Sequence, residues 1–82
     1  MLYRFNLIEG FDIISGSEGI DLPNNAAAKA YAIAAARSII ADDVLCGILV
    51  LSHSIEITLE DGAQLMIVPF ADAIAIDRRL TI

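Results

Sequence analysis

The chain has one cysteine, Cys46, one histidine, His53, no tryptophan and two prolines in 82 residues. A single cysteine excludes an intramolecular disulfide. Basic residues are few: Arg4, Lys29, Arg37, Arg78 and Arg79 stand against eleven acidic ones, for a net charge of -6. Nucleic-acid binding needs a basic stripe that displaces counterions from phosphates, and only Arg78 and Arg79 are adjacent. The same scarcity disfavours docking on an anionic membrane. The longest uncharged apolar run covers residues 44–51, whereas a membrane-spanning helix takes about 20 residues. The opening MLYRFNLIEG shows no cationic region leading into an apolar stretch and no small-residue cleavage site, so a signal peptide is not expected. A cytoplasmic location is the expectation, and a lone reduced cysteine fits it.

Apolar residues, by contrast, are in surplus. They make up 57% of the chain, above the roughly 45–50% of ordinary soluble domains. Small folds are reinforced by disulfides, a metal or a partner subunit. The first is excluded and no metal-ligand cluster is visible, which leaves a partner. An 82-residue core cannot hide so much apolar surface, so another chain is expected to cover some of it.

The hydrophobic pattern predicts β-β-α-β-β. Residues 2–8 alternate, Tyr3, Phe5 and Leu7 against Arg4 and Asn6, the signature of a half-buried strand. Glu9-Gly10 is a turn signal, and residues 11–14 return as a second strand. Ser15-Gly16-Ser17-Glu18-Gly19 is a turn-rich connection, with Ile20 and Leu22 expected to anchor it. Pro23-Asn24-Asn25 reads as a helix start capped by an asparagine oxygen. From Ala26 to about Val44 alanine dominates, and alanine is the best helix former. Ala28, Ala32, Ala35 and Ile39 make the expected inward stripe, flanked by Tyr31 and Ala36, with Lys29, Ala30, Arg37 and Ala41 outside. Gly47 is the expected stop. Residues 44–51, opening on Val44 and closing on Leu51, are apolar apart from Gly47. Ile55, Ile57 and Leu59 then alternate with Ser54, Glu56 and Thr58. Glu60-Asp61-Gly62 is the strongest turn signal, and residues 64–68 form the return strand, ended by Pro69. A helical turn at Ala71-Asp72-Ala73 and an extended Ile74-Ala75-Ile76 follow. The expected class is α+β, one alanine-rich helix packed across one face of a mostly antiparallel sheet. The expected organisation is a single domain over residues 1–74, with residues 75–82 as a C-terminal extension.

None of the chemically capable residues forms a catalytic, cofactor-binding or metal-binding constellation. His53 has no nucleophile placed beside it by sequence, and a general base needs one. Cys46 lies in an apolar run without a basic neighbour to lower its pKa, so it reads as a buried, inert thiol. Asp42-Asp43, Glu9 with Asp12, and Glu60-Asp61 lack the alternating oxygen ligands of a calcium loop and read as turn or solvated residues. The glycines from Gly16 to Gly19 lack the lysine and spacing of a phosphate loop. Tyr3, Phe5 and Phe11 resemble a base-stacking platform in type, but with Arg4 as the sole basic neighbour they read as core.

The order of these features resembles a bacterial family, the domain-of-unknown-function family six-eight-nine-four. The resemblance is carried by Tyr3-Arg4-Phe5 with Gly10, by Glu18-Gly19-Ile20-Asp21-Leu22-Pro23 ahead of the spaced alanines Ala28, Ala32 and Ala35, and by Ala41-Asp42-Asp43. It continues through Ile55-Glu56-Ile57, Asp61-Gly62, Val68-Pro69-Phe70 and Asp72-Ala73. It implies a fold and a bacterial origin, and no activity. Two departures stand out: Ile48-Leu49-Val50-Leu51 replaces a segment that is usually polar and basic, and the extension beyond Ile74 is additional. Both add apolar surface. An alternating strand over Ile48 to Leu51 buries only half its side chains, and Ile74, Ile76, Leu80 and Ile82 exceed what a small core holds.

The functional expectation is therefore a non-enzymatic structural or protein-interaction module without cofactors. It is expected to form a homo-oligomer, a dimer, through residues 44–51, through the extension, or through both. The alternative is an antitoxin-like regulatory domain whose acidic surface binds a basic protein partner.

Overall fold

A computed structural model of the chain describes residues 1–16 and 18–76. The strands are β1 (Leu2–Glu9), β2 (Asp12–Ile14), β3 (Ile20–Asp21), β4 (Ser54–Leu59) and β5 (Gln64–Pro69). The helices are α1 (Asn25–Leu45) and the single turn α2 (Phe70–Ala73). The fold is α+β, a wholly antiparallel sheet in the order β2-β1-β4-β5 with α1 packed on one face. The stretch around Ile20 adds a two-residue strand on β1 that the pattern did not predict, while Leu22, an expected anchor, packs against the core. Because β4 occupies the other side of β1, β2 and β3 are two pieces of one interrupted edge strand.

Helix α1 starts and stops where its ends are chemically satisfied. The Asn24 Oδ1 accepts the Ala27 amide at 2.9 Å, satisfying one of the first turn's unpaired donors. At the other end Gly47, with φ +84°, lets the Gly47 amide donate to the Val44 carbonyl and the Ile48 amide to that of Asp43. This pair of bonds is the Schellman arrangement that glycine permits. The buried row is Ala28, Ala32, Ala36 and Ile40. Ala35 and Ile39, expected on the central stripe, lie at its margin, because the row that meets the sheet repeats every four residues rather than alternating four and three. Methyl-sized side chains bring the helix close to Tyr3, Ile55, Ile57 and Val68, which complete the core with Phe70 and Ala73.

The two hairpins use glycine differently. Gly10 has φ +63° and precedes Phe11 in a two-residue turn closed by the Glu9–Asp12 pair, the glycine placement of a type II′ turn. Phe11 is therefore a turn residue, wholly exposed, not part of the second strand or the core. In the β4–β5 turn the Gly62 amide donates to the Leu59 carbonyl, and that of Leu59 to Ala63. Gly62 takes φ +88°, as an Asp-Gly turn with a following bulge requires.

Residues 44–51 do not form a strand. Val44 and Leu45 end the helix, and the chain from Ile48 to His53 has no regular structure before β4. The glycine stop turns the chain outward, so Ile48 and Leu49 are exposed while Val50 and Leu51 are half-buried. Cys46 caps the helix C-terminus and is exposed, which corrects the expectation of a buried thiol.

Candidate functional site

The residues with chemical potential are dispersed over the fold. His53 is half-buried where the irregular loop enters β4, its Nδ1 3.7 Å from the Glu9 Oε2. Its ring meets Phe70 edge-on at 5.7 Å, and its carbonyl accepts the Phe70 amide. These contacts tie the loop to β1 and α2. Asp61 accepts the Ala63 amide within its turn. Asp43 uses its backbone carbonyl to cap α1, and Asp42 and Asp12 are exposed. Among the described residues no group of three or more His, Cys, Asp or Glu side chains is placed to hold a metal. Also among them, no helix is long and apolar enough to cross a membrane. Arg78, Arg79, Leu80 and Ile82 lie outside the described residues.

The aromatic trio is split. Tyr3 is buried, its hydroxyl donating to the Asn25 Oδ1 at 2.8 Å, so it fastens β1 to the start of α1. Phe5 packs on Tyr31 with ring centroids 4.5 Å apart. Both face the helix, while Phe11 stands alone at the hairpin tip.

A polar group that the alternation pattern places outside is buried. Asn6 is on the sheet face away from α1, opposite Glu56. Its Nδ2 donates to the Glu56 Oε1 at 3.0 Å, and its Oδ1 accepts the Gly16 amide at 3.1 Å. That amide belongs to the stretch between β2 and β3, where regular edge pairing stops. A buried donor without a partner costs free energy, and Asn6 supplies the partner. A Cβ at position 16 would collide with the Phe5 carbonyl, so glycine is needed for the edge to lie this close to β1. Sequence reasoning had no signal for Asn6 beyond its position opposite a turn-rich segment.

Two grooves flank α1. One, about 350 Å³, lies toward the broken edge between Phe5, Leu7, Ile14 and the helix residues Tyr31, Ala35 and Ile39. The other, about 360 Å³, lies toward β5 and is lined by Lys29, Ile33, Met66, Val68 and Asp72. Neither brings together a nucleophile and a base.

Large apolar side chains remain in solvent: Phe11, Ile13, Ile14, Val44, Leu45, Ile48 and Leu49 among them. Ile8 pairs with both Ile13 and Ser54, so the β1–β2 hairpin and the loop entering β4 share one end of the sheet. The Glu9–His53 contact joins them.

A family described as "Domain of unknown function (DUF6894)" matches residues 2–71. Comparison with curated proteins and with solved structures gave no match.

Proposed function

For a chain that belongs to the DUF6894 domain family, we propose a non-enzymatic protein-interaction module that associates with copies of itself. The carrying observation is the apolar surface at one end of the sheet, where Leu45 is 86% exposed, Ile48 and Leu49 each 57%, and Phe11 fully so. Exposed apolar patches on soluble proteins mark interaction sites. Symmetric homo-oligomers are the commonest arrangement that covers one. Residues 44–51 contribute to this surface as a helix end and loop rather than as a strand. Ile76, at the start of the extension, is likewise half exposed.

The measurement is light scattering on the native protein at tens of micromolar, with Leu49→Asp and Ile76→Asp beside it. A mass of at least two chains is expected, lowered by a carboxylate in whichever surface takes part. A native mass of one chain at this concentration sinks the reading. The antitoxin-like alternative rests on the acidic balance and the β-rich element order, and a basic protein captured stoichiometrically from the native host would replace self-association with it.

A further inference from the structure

We propose that the groove between α1 and the broken β2/β3 edge binds a small organic cation, a primary amine or guanidine carried on an apolar body. The proposal goes beyond the self-association reading and does not depend on it. The groove exists because two neighbours stop short of each other. The row that seats α1 on the sheet is Ala28, Ala32, Ala36 and Ile40, so Tyr31, Ala35 and Ile39 on its flank are left to border the gap toward the edge. Between the two larger side chains, Ala35 contributes only a methyl group. The edge strand is three residues long on one side of its break and two on the other, and Gly16, in the break, has no side chain to fill the space. About 350 Å³ is left, within the size range of small-ligand sites.

The lining selects the occupant. The rings of Phe5 and Tyr31, packed with centroids 4.5 Å apart, make part of the wall aromatic, and Leu7 and Ile14 make part of it aliphatic. One charged residue borders the groove, Glu18, and the ion pairs among the described residues do not involve it. The described arginine and lysine side chains are placed elsewhere. Arg4 alternates with Phe5 onto the sheet face away from α1, Lys29 borders the other groove, and the Arg37 Nε donates to the Ala73 carbonyl. Aromatic rings attract a cation through their negative faces, and a carboxylate gives it a charge-assisted partner. The aliphatic wall takes the apolar stem. An anion would meet Glu18 and a net charge of -6, with no cation in the groove to receive it. The groove toward β5 differs on both counts: it has Lys29 as well as Asp72 and no aromatic ring, so it does not discriminate by charge.

Hexylammonium, hexanol and hexanoate share one apolar body and differ in the charge of the head group, so together they test the site. Titrated into the native chain and followed by NMR, hexylammonium should shift the amide signals of Tyr31, Ala35 and Ile39 saturably. It should bind about five- to tenfold more tightly than hexanoate, with hexanol between them. Ala35→Leu fills the groove and should weaken hexylammonium binding about tenfold, because the stem is no longer buried. Glu18→Gln changes an exposed side chain and keeps its shape; it should cut the preference for amine over hexanoate about threefold. Lys29→Gln, at the other groove, should leave both affinities as they are. Thermal melts confirm that each variant stays folded. Equal binding of amine and hexanoate, amine binding unmoved by Ala35→Leu, or a preference unmoved by Glu18→Gln overturns the site. Groove signals that move with protein concentration and not with hexylammonium would give the groove to a second copy, overturning the site while leaving self-association standing.

Discussion

The two edges of the sheet present different solutions to one problem. Each edge strand exposes a row of backbone donors and acceptors that invites further pairing. On the β2/β3 side the row is broken: short strands, a glycine pressed against β1, acidic side chains and an internal amide satisfied by Asn6. On the β5 side six uncharged residues run to a closing proline, Pro69, with a single bulge at Leu65. Both edges thus carry devices against further pairing, breaks and acidic side chains on one side, a bulge and a proline on the other. Irregularity here is built by specific contacts, so it can be taken apart one residue at a time.

The largest effect is expected at Gly16. Any side chain there meets the backbone of Phe5 rather than a flexible neighbour, so relief requires moving β1 or the edge. Gly16→Val should destabilise the fold by about 3 kcal/mol, at the upper end of overpacking costs. Chemical denaturation reads the loss, and a variant as stable as the native chain would show that the edge is not held against β1. Next comes Asn6→Leu, which keeps bulk but leaves the Gly16 amide without its acceptor. The expected loss is about 1–3 kcal/mol, the range for orphaning a buried polar group. Faster amide exchange should be confined to the β2/β3 edge.

Much of this architecture was legible beforehand. The element order, the asparagine cap, the glycine stop at 47 and the positive φ of Gly62 follow from local rules that need no tertiary knowledge: cap chemistry, turn chemistry and period. What local rules could not supply was anything set by a distant segment. Asn6 alternates as an outward residue, and its burial depends on Gly16, ten residues on, folding back over it. Residues 44–51 look like a strand by composition, yet the Schellman bonds at Gly47 use their first half to finish a helix. Cys46 is exposed for the same reason. Ala35 and Ala36 cannot be ranked without knowing the angle at which the helix crosses the sheet, since both lie within a broad apolar face. No residue pattern announced a catalytic site, and His53, Cys46 and the acidic pairs are dispersed over the fold.

The helix offers a way to compare the space on its two sides. Ala36 is fully buried over the centre of the sheet, so Ala36→Leu should cost about 1–3 kcal/mol by overpacking. Ala35, one residue earlier, borders the groove of about 350 Å³ toward the broken edge. A leucine there has somewhere to go, and Ala35→Leu should cost clearly less than Ala36→Leu. Melting temperatures of the two variants decide the matter. Equal losses would mean that the helix sits as tightly over the broken edge as over the core, and that the groove is closed in solution.

The smallest change in stability should come from charging the edges themselves, and it separates their roles most directly. Ile13 on β2 and Ile67 on β5 are both partly open to solvent, at 57% and 44%. Neither belongs to the buried core or to the half-buried side chains packed against it. Replacing either with lysine therefore removes little packed surface, and each single-chain stability should shift by no more than about 0.5 kcal/mol. Association should respond unequally. The β2 edge is already short and interrupted, so Ile13→Lys adds one more charge to a row that pairs with nothing. The β5 edge is longer and uncharged, with one bulge at Leu65 and a closing proline, and Ile67→Lys should lower the oligomeric mass if that edge takes part, while leaving the melting curve of the dilute protein almost unchanged. The comparison breaks if Ile13→Lys disperses the oligomer and Ile67→Lys does not, because the interrupted edge would then be the one in contact. It sharpens if only Ile67→Lys acts, for the two variants carry the same chemical change at similar exposure and differ in the length and charge of the strand that bears it.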